Sequence, residues 1–220
     1  MRHVLHGLIL SSLFVSSRSL SFAPPFHART RMQEHDPFAT LGAPHRFDLD
    51  LRAIEKVHRE LSRALHPDRF AQAGASERRA ALEKAATVNE AWSIVRDPVR
   101  RAEALFSIGG IEVGENREPK ASPALLMDVL EQREALADAR SAPGAPGKGD
   151  MAKIRALRAH FEAREKAAEE KLTQGFALAF AATESSRCRE ALEAVLPALD
   201  ELRFFKRLRS EASALEEEEA

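Results

Sequence analysis

Two sets of side chains in this sequence have types suited to chemistry. The first is the run His66-Pro67-Asp68, followed by Arg69 and Phe70. A helical pattern leads into His66 and must stop there, because Pro67 drives the preceding residue out of the α region and has no backbone N–H. An imidazole and a carboxylate flanking a rigid ring then stand on an exposed turn. They offer a donor and an acceptor to a partner surface at low ordering cost, which is contact chemistry rather than catalysis. The second set, which shares a residue with the first, is His58 and His66 with nearby carboxylates, the raw material of a hydrolase or metal site. The eight histidines are scattered, and there is no nucleophile elbow, zinc-protease helix motif, glycine-rich phosphate loop or cysteine pair. The single cysteine, Cys188, excludes an intrachain disulfide and any cysteine-based metal site within one chain. No enzymatic activity, cofactor or metal is expected.

The elements that must position the His-Pro-Asp turn are helices. Leu49 to Leu65 is the strongest local signal: at about 100° per residue, Leu51, Ile54, Val57, Leu61 and Leu65 share one face. Arg52, Lys56, Arg59 and Arg63 share the opposite one. This basic stripe leads directly into the turn, which favours an acidic docking partner over a merely solvated face. After the turn, Ser76 is placed to cap a second helix with Glu77 in its first turn, and Ala81, Ala85, Val88, Trp92 and Val95 recur at helical spacing. The two helices should pack antiparallel.

Upstream, Pro37 opens a short helix that Gly42-Ala43-Pro44 closes, with Phe38 and Leu41 capping the core. Downstream, Asp97-Pro98 ends the second long helix, and VRRAEALFSIGG forms another that bridges two domains. Residues 111–121 read as polar loop. Ser122-Pro123 opens a helix to about Arg140, on which Leu126, Leu130 and Arg133 line up, as do Met127, Glu131 and Glu134. SAPGAPGKG at 141–149 is a flexible connection, and Asp150 caps a helix over 151–182. A last helix over 186–214 contains Pro197, which predicts a kink, and the acidic run from Glu216 should fray. The fold class is all-α, since abundant Ala, Leu, Glu and Arg favour helix and no convincing alternating strand occurs.

Bulk composition narrows the partners. With 33 Lys+Arg against 34 Asp+Glu there is no global field to hold nucleic acid. The apolar run Val4 to Val15 is too short and too interrupted to span a membrane. Residues 1–34 form a targeting-like extension, expected to be disordered. The first 31 of them read as a secretory-type or plastid signal, as an organelle presequence, or as residues upstream of a true start at Met32.

The helix, His-Pro-Asp turn, helix arrangement resembles a J-domain. The tracts FATLGAP with FDLD, HRELSRALHPDRF, LEKAATVNEAW, DPVRRAEALFSIGG, LLMDVLEQREAL and LRFFKRLRS extend the resemblance to the HscB family of iron–sulfur co-chaperones, over essentially all of 36–220. The resemblance implies a J-domain with bridging helix over 35–110 and a C-terminal three-helix bundle over 111–220. It implies a chaperone-binding set of His66, Pro67, Asp68, Arg52, Lys56, Arg59, Arg63 and Arg69, which would stimulate an HscA-type ATPase chaperone. It also implies that an IscU-type scaffold is bound through Leu126, Met127, Leu130, Glu131, Glu134, Asp138 and Phe204. The alternative is a general J-domain co-chaperone whose C-terminal helices bind other clients or dimerise. The pattern departs from the family at His58, where J-domains place an aromatic, and at Arg69, where they place lysine. A four-cysteine N-terminal motif found on some eukaryotic relatives is absent. A cytoplasmic, bacterial-type monomer is therefore expected, or a mitochondrial or other organellar protein if residues 1–31 are a cleaved presequence.

Overall fold

A computed structural model describes residues 36–111, 113, 121–141 and 149–218. The targeting-like extension, most of the polar loop at 111–121 and the 141–149 connection, apart from Ser141 and Gly149, lie outside the described residues. The described chain is all-helical: α1 (Pro37–Thr40), α2 (Leu51–Ala64), a 3-10 turn (Pro67–Phe70), α3 (Ala75–Arg96), α4 (Pro98–Ile108), α5 (Pro123–Ser141), α6 (Met151–Ala181) and α7 (Ser185–Glu218).

Side-chain caps start most of these helices. Asp36, Asp50, Asp97 and Asp150 each accept backbone N–H bonds from the first turn after them, and the Ser122 hydroxyl accepts from Leu125 at 3.2 Å. The start of α3 differs from the expectation. Gly74, not Ser76, is its N-cap, without a side-chain bond, so Ser76 lies within the first turn of the helix. Gly42, at φ 64°, supplies the left-handed residue that closes α1. At the other end α7 extends to Glu218, into the acidic run, where Arg158 of α6 donates to Glu216 at 2.9 Å and offsets part of the unfavourable charge. Pro197 sits on the exposed side within this uninterrupted helix.

Two cores hold the helices together. The larger joins Phe38, Leu41, Phe47, Ile54, Val88, Val95, Leu105 and Phe106 to Leu172, Phe176, Leu192, Leu199 and Leu202. Residues from both sides of position 110 therefore share one interior. Phe176 is its hub, with ring centroids 4.8 Å from Phe106, 6.0 Å from Phe47 and 6.1 Å from Phe180. The smaller core packs Leu125, Val129, Leu136 and Ala139 of α5 against Ile154 and Phe161 of α6 and Phe205, Leu208 and Ala212 of α7. These three helices form the expected bundle, with α5 covering only one end of the long α6–α7 hairpin. The hairpin is tight at Gly175, where an added Cβ would stand 2.5 Å from a methyl of Val195.

Charged groups rim the seam between α4 and the hairpin. Asp97 pairs with Lys206, and Glu103 pairs with Arg203 at 2.7 Å. Arg101 is only 7% exposed; it donates to the Val95 carbonyl at 2.8 Å and lies 4.6 Å over the Phe47 ring. Burial pushes its pKa down, opposed by Glu169 and Asp97, while burial pushes the Glu169 carboxyl above its ordinary value against the pull of Arg101. A buried arginine in this core was not legible from helical periodicity.

Candidate docking surfaces

The first surface is built by α2 and the turn after it. Asp50 accepts from the Arg52 and Ala53 N–H groups and fixes where α2 starts, which sets the face on which the later cations fall. Arg52, Lys56, Arg59 and Arg63 are all exposed along it. Glu55 approaches Arg59 at 3.4 Å, and the Arg63 Nε donates to the Arg59 carbonyl at 3.3 Å, so one acid answers part of a four-cation stripe. Leu65 ends the helix, and His66 adopts an extended backbone ahead of Pro67.

The turn presents its polar groups outward. The side chains of His66 and Asp68 are 59% and 89% exposed, with Nδ1 of His66 3.5 Å from the Asp68 carboxylate. The Asp68 N–H points at the same Nδ1 from 3.4 Å, so the ring of His66 is held over the start of the turn by contacts to Asp68. Arg69 is exposed beside them, and its N–H donates to the His66 carbonyl at 3.0 Å. His58 belongs to the scaffold of this surface. Its ring stacks on Trp92 at 5.5 Å and 18°, and its Nε2 lies 3.0 Å from Asn89 Oδ1. It fills an aromatic's place between α2 and α3 and adds a polar link. Val57, expected on the core face, lies at its edge and is 37% exposed.

The second surface is the outer face of α5. Its inner face is fixed by Leu125, Val129, Leu136 and Ala139, and by Arg164 of α6, which donates to Asp128 at 2.8 Å while lying 4.1 Å over the Phe205 ring. Leu126, Met127 and Leu130 are thereby turned to solvent and are 47%, 58% and 49% exposed. Glu131, Glu134 and Asp138 are exposed on the same helix. Phe204 of α7 differs from the other residues expected here: it is half-buried against the smaller core, so only part of its ring reaches the surface. Three large apolar side chains facing water, rimmed by acids, form a patch with the anatomy of a protein interface. Among the described residues no group of His, Cys, Asp and Glu is arranged to hold a metal, and no helix is long and apolar enough to cross a membrane.

Comparison with known proteins covers both halves. Residues 121–213 match the family described as the HSCB C-terminal oligomerisation domain. Two curated relatives, each described as a co-chaperone protein HscB homolog, come from Paraburkholderia phymatum and Bordetella avium. They are 40% identical over 105 residues and 41% identical over 109 residues. These alignments take in 48% and 50% of the chain and 60% and 65% of the relatives, so less than two thirds of each relative's length is matched. Among solved structures, chaperone HscB from Vibrio cholerae superposes with a TM-score of 0.68 at 27% identity, over 83% of this chain and 98% of that one. The human co-chaperone protein HscB gives 0.67 at 20% identity, over 96% of this chain and 93% of that one, a likeness of fold.

Proposed function

We propose that this chain, which belongs to the HscB family, is a co-chaperone of iron–sulfur cluster assembly that brings a cluster scaffold to an ATPase chaperone. In this reading the His66-Pro67-Asp68 turn and the α2 stripe engage an HscA-type chaperone and stimulate its ATP hydrolysis. The outer face of α5 holds an IscU-type scaffold. The chain itself does no covalent chemistry and acts by positioning.

The observation that carries the reading is the pairing of two unlike exposed surfaces on one fold. A cationic stripe ends in a solvent-facing imidazole and carboxylate on α2 and its turn, and a solvent-facing Leu126, Met127 and Leu130 patch lies on α5. Neither surface is consumed by the cores. The test is a steady-state ATPase assay of the chaperone with this protein and the scaffold each present or absent. Weak stimulation by either alone and strong synergy with both is expected; purely additive rates would count against the adaptor role.

The matched family's description as an oligomerisation domain favours one other reading to weigh, in which the bundle pairs copies of the chain. Light scattering of the purified protein with and without scaffold separates the two, since the adaptor reading expects a monomer that forms a one-to-one complex. We further propose a bacterial-type cytoplasmic location, or an organellar one if residues 1–31 are removed as a presequence. Mass spectrometry of the mature N-terminus decides: a start at Met32 supports the first and cleavage near Ala23 the second.

A further inference from the structure

The two rows of α5 that meet at the apolar patch end in opposite charge. Met127 is followed by Glu131, Glu134 and Asp138, whereas Leu126 and Leu130 are followed by Arg133, Ala137 and Arg140. Steps of three and four residues keep each set in its own row along the helix, and every one of these residues is exposed. The arginine row lies toward α7. Arg133 donates to Glu211 at 3.4 Å, and Arg207, one turn earlier on α7, donates to the same carboxylate at 3.2 Å. One carboxylate cannot neutralise two guanidinium groups, and Arg140 adds a third cation to this edge. On the α6 side the same helix carries Asp128, held by Arg164. The patch is thus an apolar centre between an acidic edge and a basic edge.

We propose that the α5 surface reads the polarity of its scaffold partner, with Arg133, Arg140 and Arg207 forming a second edge that accepts carboxylates. This rests on the reading that α5 binds the scaffold. The partner that fits is a folded protein surface with an apolar patch bordered by basic side chains on one side and acidic ones on the other. Apolar contact alone leaves a helix free to be docked in either direction, because it is non-directional. Opposed charged edges remove that freedom: the reversed pose would set arginine against the partner's cations and acid against its anions. The arginine edge therefore specifies orientation, while the leucines and methionine supply contact area.

The experiment measures scaffold affinity by calorimetry for the full chain and three variants: Arg133→Glu with Arg140→Glu, Glu131→Lys with Glu134→Lys, and the triple truncation of Leu126, Met127 and Leu130 to Ala. Each is first checked for an unchanged thermal melt; if the arginine pair fails that check, Arg140→Glu with Arg207→Glu replaces it. The arginine variant should bind about tenfold or more weakly at low salt, with the deficit shrinking at about 0.5 M salt, where charges are screened beyond roughly 4 Å. An affinity within about twofold of the parent, or a tighter one, overturns the proposal if the triple truncation still weakens binding; the function proposed above then stands. If the truncation also leaves affinity unchanged, that function fails and this inference with it.

Discussion

At the scale of single residues, the turn and the caps carry the testable chemistry. His66 makes only a long contact to Asp68 and packs into neither core, so its side chain is free to serve a partner. His66→Gln should leave helical circular dichroism and melting unchanged while abolishing chaperone stimulation; full stimulation by the variant would refute the contact role. Asp36 makes a different kind of prediction. Burial raises its carboxyl, but the hydrogen bond from His45, the Ala39 and Phe38 N–H groups and the His45 charge outweigh it, so the net shift is below the ordinary 3.8. A group lowered in the folded state contributes stability that is full above the unfolded value and is lost as acid protonates it through the folded one. Asp36→Asn should therefore be less stable than the parent at pH 7, with the gap closing as pH falls below about 4. Urea melts at both ends of that range check it, and a gap of constant size would mean the charge of Asp36 contributes nothing.

At the scale of elements, the sequence revealed faces more reliably than partners. Ser122 and Asp150 were readable as helix starts because a short acceptor side chain before an apolar-periodic run has few other uses, whereas Asp36, Asp50 and Asp97 emerge as caps only in the structure. The outward Leu126, Met127 and Leu130 were readable because α5 carries more large apolar side chains than one seam accepts. What periodicity cannot say is what a buried face packs against. The α6 stripe is continuous from Ile154 to Phe176, yet Ile154 and Phe161 enter the smaller core and Ala168, Leu172 and Phe176 the larger. Nor does spacing reveal that Phe204 half-withdraws from the surface, since its neighbour Phe205 takes the core position. Two predictions belong here. Reversing Lys56, Arg59 and Arg63 to Glu should weaken chaperone docking at low salt and leave scaffold binding intact, because the stripe is exposed and acts through screened, long-range charge. Normal docking at low salt would reduce the stripe to a solvated face. Truncating Leu126, Met127 and Leu130 to Ala should cost a few kcal/mol of scaffold binding, at about 1–2 kcal/mol per anchor. The melt should hold, since all three side chains are about half exposed.

At the scale of the whole molecule, the larger core decides whether the chain behaves as one body or two. Phe38, Phe47 and Phe106 reach it from the J-like half, and Phe176, Leu192 and Leu199 from the hairpin, so neither side can lose its apolar surface alone. The charged rim cannot substitute for that interior. Ion pairs such as Glu103 with Arg203 are partly solvated, and solvated pairs contribute little. Phe176 tests the coupling because it belongs to α6 but touches Phe47 and Phe106 of the other half. Phe176→Ala removes a fully buried ring and should cost about 3–5 kcal/mol. Trp92 is the only tryptophan and lies on α3 at the edge of the larger core, stacked on His58, so its fluorescence reports the α2–α3 side of that core. Far-ultraviolet circular dichroism is dominated instead by α5, α6 and α7, the bulk of the helical residues. If the core is shared, both signals should shift together to a lower denaturant midpoint in the variant. A Trp92 transition that stays at the parent midpoint while the helical signal moves would show two independent units. The fixed placement of the turn relative to the α5 surface, on which the proposed presentation of a scaffold to a chaperone rests, would then have no physical basis in this core.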